Sequence, residues 1–314
     1  MKELKNEILY GKEEKISLDE LKKYKVSYLE YKKANYNSVD TIINTNNYIN
    51  TLISFCEKNN IKYITKDTIH NYILNLDDKQ KSTKDKYLKN LRLFFLYLYE
   101  YNVIETNFEM FIPKTKYTLK SKIPFYWSEE NINKLLNSIQ QDSDMGKRDY
   151  AILLIIIRLG LRAGDVIRLT LDNIDWNNNQ IKFYQHKTTQ IQCLPLVLDV
   201  KEAIINYIVN TRNNNIENRT LFLDDKNSNS IKNAKKISRI LYKYEKKANI
   251  KIDKSFKNGV HSFRNTLAYN LLINETSINT ISQVLGHINP NTAQIYLKID
   301  LEHLRDCVLD WRCL

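Results

Sequence analysis

The chain has 314 residues, 43% hydrophobic and 27% charged, with a formal net charge of +12. That length exceeds one small core and suits two domains, and the composition excludes a disordered chain. No apolar run reaches the ~20 residues of a bilayer span, so a transmembrane helix is excluded and no membrane partner is expected.

The N-terminus, MKELKNEILYGKEEK, is charged and lacks the apolar core of a signal peptide, so the expected location is the cytoplasm. About 15 residues precede the first helix. Apolar spacing then predicts helices over roughly 18–34, 38–59, 67–75 and 83–101, with Ser82 as the expected N-cap of the last. On that helix Leu88, Leu91, Phe95 and Leu98 share one face. Lys86 and Lys89, with Asn90, share the opposite one, a candidate DNA-facing surface as well as a plain solvated face.

Pro113 and Pro124 flank a lysine-rich stretch, and residues 111–126 read as a basic linker between domains at 1–110 and 127–300. Ser128 caps a helix beginning at WSEENINKLLNSI, and KRDYAILLIIIRLG is a second helix ended by Gly160. QIKFYQ and QIQCLPL alternate on either side of HKTT, which predicts a β-hairpin with Lys187 at its tip. Residues 199–212 read as a helix, and 213–218 and 225–230 as Asn-rich loops. Residues 231–248 form an amphipathic helix: Ala234, Ile237, Leu241, Tyr244 and Ala248 make one stripe, and Lys232, Lys236, Arg239, Lys243 and Lys247 the other. Charge is unevenly placed, with residues 1–110 carrying a net of +2 and residues 111–314 a net of +10. A local excess of this kind points to a polyanion. The tail, residues 301–314, places Leu301, Leu304, Val308 and Trp311 on one helical face.

The four cysteines have neither CxxC pairing nor zinc-ligand spacing. Four of the six glycines, Gly160, Gly164, Gly259 and Gly286, lie within two residues of chemistry-bearing motifs, which suggests constrained backbone there. Those motifs are LGLRAGDVIRL with Arg162 and Asp165, the hairpin with Lys187, GVHSFR with His261 and Arg264 one helical turn apart, LGH with His287, and TAQIYLKI with Tyr296.

In this order, Arg162, Lys187, His261, Arg264, His287 and Tyr296 resemble the signature of the tyrosine recombinases, or phage-type integrases, including their Xer-like branch. The resemblance is strong over roughly residues 125–300. Residues 15–110 match the family's core-binding domain only in length, position and helix pattern. It implies a mainly α fold: a helical N-terminal core-binding domain and a mostly α catalytic domain carrying a small antiparallel β-sheet. It implies a site-specific recombinase or integrase that acts on double-stranded DNA through a 3′-phosphotyrosyl bond at Tyr296. Asp165 stands where the family has an acid, as a residue that orients Arg162 or a histidine. The implied assembly is a homo-tetramer on DNA with the 301–314 tail docked in trans, in a nucleoid-associated setting that leaves room for accessory DNA-binding proteins.

The residue chemistry agrees. Two guanidiniums can hold phosphoryl oxygens by forked hydrogen bonds and keep their charge. A phenol with a pKa near ~10 needs help losing its proton, and His261 is placed to take it. Lys187 can protonate the leaving 5′ oxygen, and His287 can donate to the phosphate. The expectation is a reaction without metal, ATP or other cofactor. Two further readings stand beside it: a relaxing type IB topoisomerase, and a catalytically silent DNA-binding protein on the same scaffold.

Overall fold

Ser17 opens the first helix with a capping box: the Glu20 backbone N–H donates to its Oγ at 3.2 Å, and its own N–H donates to the Glu20 carboxylate at 3.1 Å. In this computed structural model the described residues are 15–35, 37–114, 125–187, 190–212, 217–224, 229–253 and 258–286. The chain divides into two compact units, Met1–Leu119 and Lys120–Leu314, and the division falls inside the stretch read as a linker.

The first unit holds α1 (Leu18–Ala34), α2 (Val39–Lys58), α3 (Lys66–Leu74) and α4 (Lys81–Glu100). A short antiparallel pair, β1 (Ile16–Ser17) with β2 (Tyr63–Ile64), ties the start of α1 to the loop before α3. Leu88, Leu91, Phe95 and Leu98 of α4 are fully buried, as their spacing predicts, and pack with Leu21, Ile49, Leu52 and Tyr72. The α4 start departs from the expectation. Gln80, not Ser82, occupies the N-cap and caps nothing with its side chain, because the helix begins two residues earlier than the apolar pattern.

The second unit holds α5 (Glu129–Asn137), α6 (Asp144–Leu159), the single turn α7 (Ala163–Val166), α8 (Leu198–Asn210), α9 (Lys235–Lys247), α10 (His261–Ile273) and α11 (Ile278–Val284). Helix α6 is its centre: every residue from Ala151 to Ile157 is buried, so the run YAILLIII packs all round instead of on one stripe. Strands β3 (Ile174–Asp175), β4 (Gln180–Tyr184) and β5 (Ile191–Pro195) form an antiparallel sheet in that order. The β4–β5 pair is the expected hairpin, in register Tyr184 to Ile191; β3 was not foreseen. Helix α9 starts at Lys235, four residues later than its amphipathic pattern suggests, because Ser230 forms an isolated bridge with Leu223. The fold is therefore mainly α with two small antiparallel sheets. Among the described residues no helix is long and apolar enough to cross a membrane.

Candidate active site

Helix α6 ends at Gly160, whose φ of +64° turns the chain so that Arg162 stands just before α7, at its N-cap position without a capping side-chain hydrogen bond. The Arg162 side chain is largely buried, and its Nη1 donates to Gln185 Oε1 at 2.7 Å and lies 3.9 Å from Asp165. Asp165 is buried at 4% exposure, and its Oδ1 accepts the His186 backbone N–H at 2.9 Å. The carboxylate thus ties the base of the hairpin loop to α7, one residue before Lys187. Lys187 itself is exposed near the tip.

Arg264 lies on the first turn of α10 and is buried at 3% exposure. Its Nη1 donates to the Gly160 carbonyl at 2.9 Å, and its Nη2 donates to the Leu285 carbonyl. The two arginines line one depression together with Asp165, Gln185 and Gln192. His261 is the first residue of α10. Loss of hydration lowers its pKa below the ordinary 6.5, followed by the positive charges of Arg264, Arg162 and Lys187. The shift favours the neutral form, which can accept a proton. Trp127 anchors the start of this helix: its indole donates to Ser262 Oγ at 2.7 Å and stacks on Phe263 at 4.6 Å.

Of the six residues picked from the sequence, Arg162 and Arg264 line one depression with Asp165, and the charges of both arginines and of Lys187 act on His261. His287 and Tyr296 lie outside the described residues, as does the 301–314 tail. The chain reaches the residue before His287 at Gly286, which has φ +58°. The glycine expectation holds at Gly160 and Gly286. At Gly164 and Gly259 it does not: φ is not positive, and a Cβ at Gly259 would meet nothing within 4 Å.

Sequence reading missed Gln185 and Gln192, both buried, at 3% and 7% exposure. The Gln185 amide donates to Gln192 Oε1 and to the Leu285 carbonyl at 3.2 and 3.4 Å. The Gln192 amide donates to the Gln283 and Val284 carbonyls at 2.9 and 3.0 Å. The available signal was alternation, which puts Gln192 on the same inward face as Leu194, where a polar residue needs a reason.

The basic stripe is less free than a helical wheel suggests. Lys236 pairs with Asp224. The Lys243 ammonium donates to the Tyr244 hydroxyl at 3.0 Å, and that hydroxyl donates to buried Asp149 at 3.1 Å. Burial works against the Lys243 charge, but Tyr244 and Asp149 outweigh it and hold its pKa above the ordinary lysine value. Lys247 donates to Gln140. Lys232, ahead of α9, and Arg239 are exposed. Two of the five cations, Lys236 and Lys243, thus face acids supplied by a neighbouring loop and by α6, which a wheel of α9 alone cannot show. In the first unit Lys86 and Lys89 are exposed on α4, while Asn90, grouped with them, binds the Lys86 carbonyl and accepts from Thr45.

Residues 126–303 match the family described as the phage integrase family. The protein y4rA of Sinorhizobium fredii, named by likeness as an integrase/recombinase, is 36% identical over 192 residues. That match takes in 61% of this chain but only 46% of y4rA's own length. Tyrosine recombinase XerC of Thermodesulfovibrio yellowstonii is 29% identical over 235 residues, covering 73% of this chain and 75% of the relative. Among solved structures, the XerH site-specific recombinase bound to a palindromic difH substrate in a post-cleavage complex aligns with a TM-score of 0.71. It covers 94% of this chain and 97% of that one at 17% identity, a likeness of fold.

Proposed function

The chain belongs to the phage integrase family, and from that premise we propose that it is a site-specific DNA recombinase that cuts and rejoins double-stranded DNA through Tyr296. The observation that carries this reading is the pair of fixed guanidiniums, Arg162 and Arg264, whose charges, with that of Lys187, act on His261 and hold its pKa below the ordinary value.

Arg162 and Arg264 are held by protein acceptors before any phosphate arrives. They stabilise the charge that builds on the phosphoryl oxygens without reorganising. His261 takes the phenolic proton as the Tyr296 oxygen bonds to phosphorus. The P–O5′ bond breaks, Lys187 gives its proton to the departing 5′ oxygen, and the 3′ phosphate stays on Tyr296. His287 donates to a phosphate oxygen. Attack by a 5′ hydroxyl reverses the step and rejoins the strand. The phosphotyrosyl ester keeps the energy of the broken bond, so the cycle needs neither ATP nor metal.

Residues 1–110 serve as a DNA core-binding domain, and Lys86, Lys89, Lys232, Lys236, Arg239 and Lys243 contact phosphates. Four protomers assemble on two duplexes, each 301–314 tail docked on a neighbour. The test is covalent trapping. A binding duplex selected from a random-sequence pool is nicked near the cut position, and the wild-type protein is expected to form a protease-sensitive 3′ adduct. Tyr296→Phe binds equally and forms none. An adduct in Tyr296→Phe, or none in the wild type, refutes the reading.

A further inference from the structure

The two buried glutamines of the hairpin are not explained by packing alone. Each amide has a defined direction. Gln185 Oε1 faces Arg162 Nη1, so its Nε2 must face Gln192 Oε1 and the Leu285 carbonyl. That leaves Gln192 Nε2 for the carbonyls of Gln283 and Val284. The hydrogen bonds run one way, from the guanidinium through both side chains into the end of α11. The last carbonyls of any helix lack partners within it, and here the hairpin supplies donors for them.

Leu285 closes the circuit, because its carbonyl also accepts Arg264 Nη2. Both proposed phosphate-binding arginines are therefore joined through Gln185 and one backbone oxygen. The next residue, Gly286, comes so close that a Cβ there would sit 2.1 Å from Gln185 Nε2 and 2.5 Å from Gln192 Oε1. Only a glycine lets the backbone meet the amides, and its φ of +58° suits the same residue. His287 follows Gly286, and Lys187 follows Gln185 by two residues. The amides are also neutral. They orient Arg162 without cancelling its charge, which a carboxylate at position 185 would do.

We propose that Gln185 and Gln192 are positioning residues that act as one latch, seating the Lys187 hairpin and the chain entering His287 together. The role of the latch in catalysis rests on the recombinase reading; its existence does not. If the hairpin shifts, both amides lose their acceptors while buried, which is costly, so the two segments move as a unit or not at all. The proposed proton donor and the phosphate-facing histidine would then be in place at the same moment.

Two measurements on the full chain test this. The variants are Gln185→Met and Gln192→Met, which keep volume and lose the hydrogen bonds. Hydrogen exchange is read first and needs no activity. Each variant is expected to speed exchange at residues 186–191 and at 283–286 together, with α6 unchanged. Faster exchange in one segment only, or in neither, overturns the latch. Single-turnover adduct formation is read second. Each variant is expected to be roughly 10²-fold slower, as for a misplaced reacting group, with duplex affinity unchanged. A substrate with a 5′ bridging sulfur, which leaves without a proton donor, should recover much of that loss. The double variant should be no slower than either single one. Additive losses or no loss overturns the catalytic role, and a loss the sulfur does not relieve overturns the seating of Lys187. Failure of the wild type to form an adduct removes the recombinase reading and leaves the exchange result to decide the latch.

Discussion

His261 shows how much one residue's surroundings decide. An ordinary imidazole is half protonated at pH 6.5, but burial and three nearby cations push this one lower. Since a base works only in its neutral form, the acid limb of the cleavage profile should have its midpoint below 6.5. A single-turnover pH profile with its acid midpoint at or above 6.5 would show that His261 is not the base. If the two arginines stabilise the phosphoryl charge as proposed, Arg162→Ala and Arg264→Ala should each slow cleavage by ~10² or more at unchanged DNA affinity. Asp165 offers a finer division. Asp165→Asn keeps an oxygen for the His186 N–H, and Asp165→Ala does not. The first should retain most activity and the second should lose it, partly regained with a 5′ bridging sulfur if the tether serves Lys187. Equal loss in both would place the acid's importance in its charge beside Arg162.

At the scale of elements, the ends of helices matter more than their middles. Gly160 and Gly286 both take left-handed backbone, which costs roughly 1–2 kcal/mol for a residue with a Cβ. Their surroundings differ. A Cβ at Gly160 meets the movable end of Leu267 at 2.8 Å, whereas one at Gly286 strikes two hydrogen-bonded amides. Gly286→Ala should therefore lower the denaturation midpoint further than Gly160→Ala. The reverse order would mean that the hairpin yields easily. Helix α9 makes a second test. Lys236 and Lys243 already face Asp224 and Asp149, while Lys232 and Arg239 are exposed. Replacing Lys232 and Arg239 by Ala should weaken binding to all DNA sequences alike and flatten the log–log salt slope by about 2. Replacing Lys236 and Lys243 should change the slope less. An equal change would mean that DNA displaces the internal acids.

At the scale of the whole molecule, the tail is the element to cut. Leu301, Leu304, Val308 and Trp311 give residues 301–314 an apolar face, and a segment so short is barely helical unless it docks. Docked on a neighbour, it would close a head-to-tail ring and link the Tyr296 segment to the presence of that neighbour. Deleting residues 303–314 should leave half-site binding intact and abolish cooperative binding to a full site and strand exchange. Recombination at the normal rate by the truncated protein would show that the tail docks on its own protomer or serves no assembly role.

Much of this was legible in residue order. Apolar period set α1, α2 and α4 to within two residues at each end, because a helix that buries one stripe must repeat it. Alternation set the hairpin, and the order of the motifs, through their resemblance to the tyrosine recombinase signature, singled out Arg162, Lys187, His261 and Arg264. What the order of residues could not reveal was which groups meet across long separations. Asp149 and Tyr244 are 95 residues apart, and Gln185 and Leu285 are 100. Hydrogen bonds and ion pairs depend on distances of about 3 Å, which neither period nor spacing encodes. Folding alone turned two unremarked glutamines into the joint between hairpin and helix, and turned part of a basic stripe into internal ion pairs.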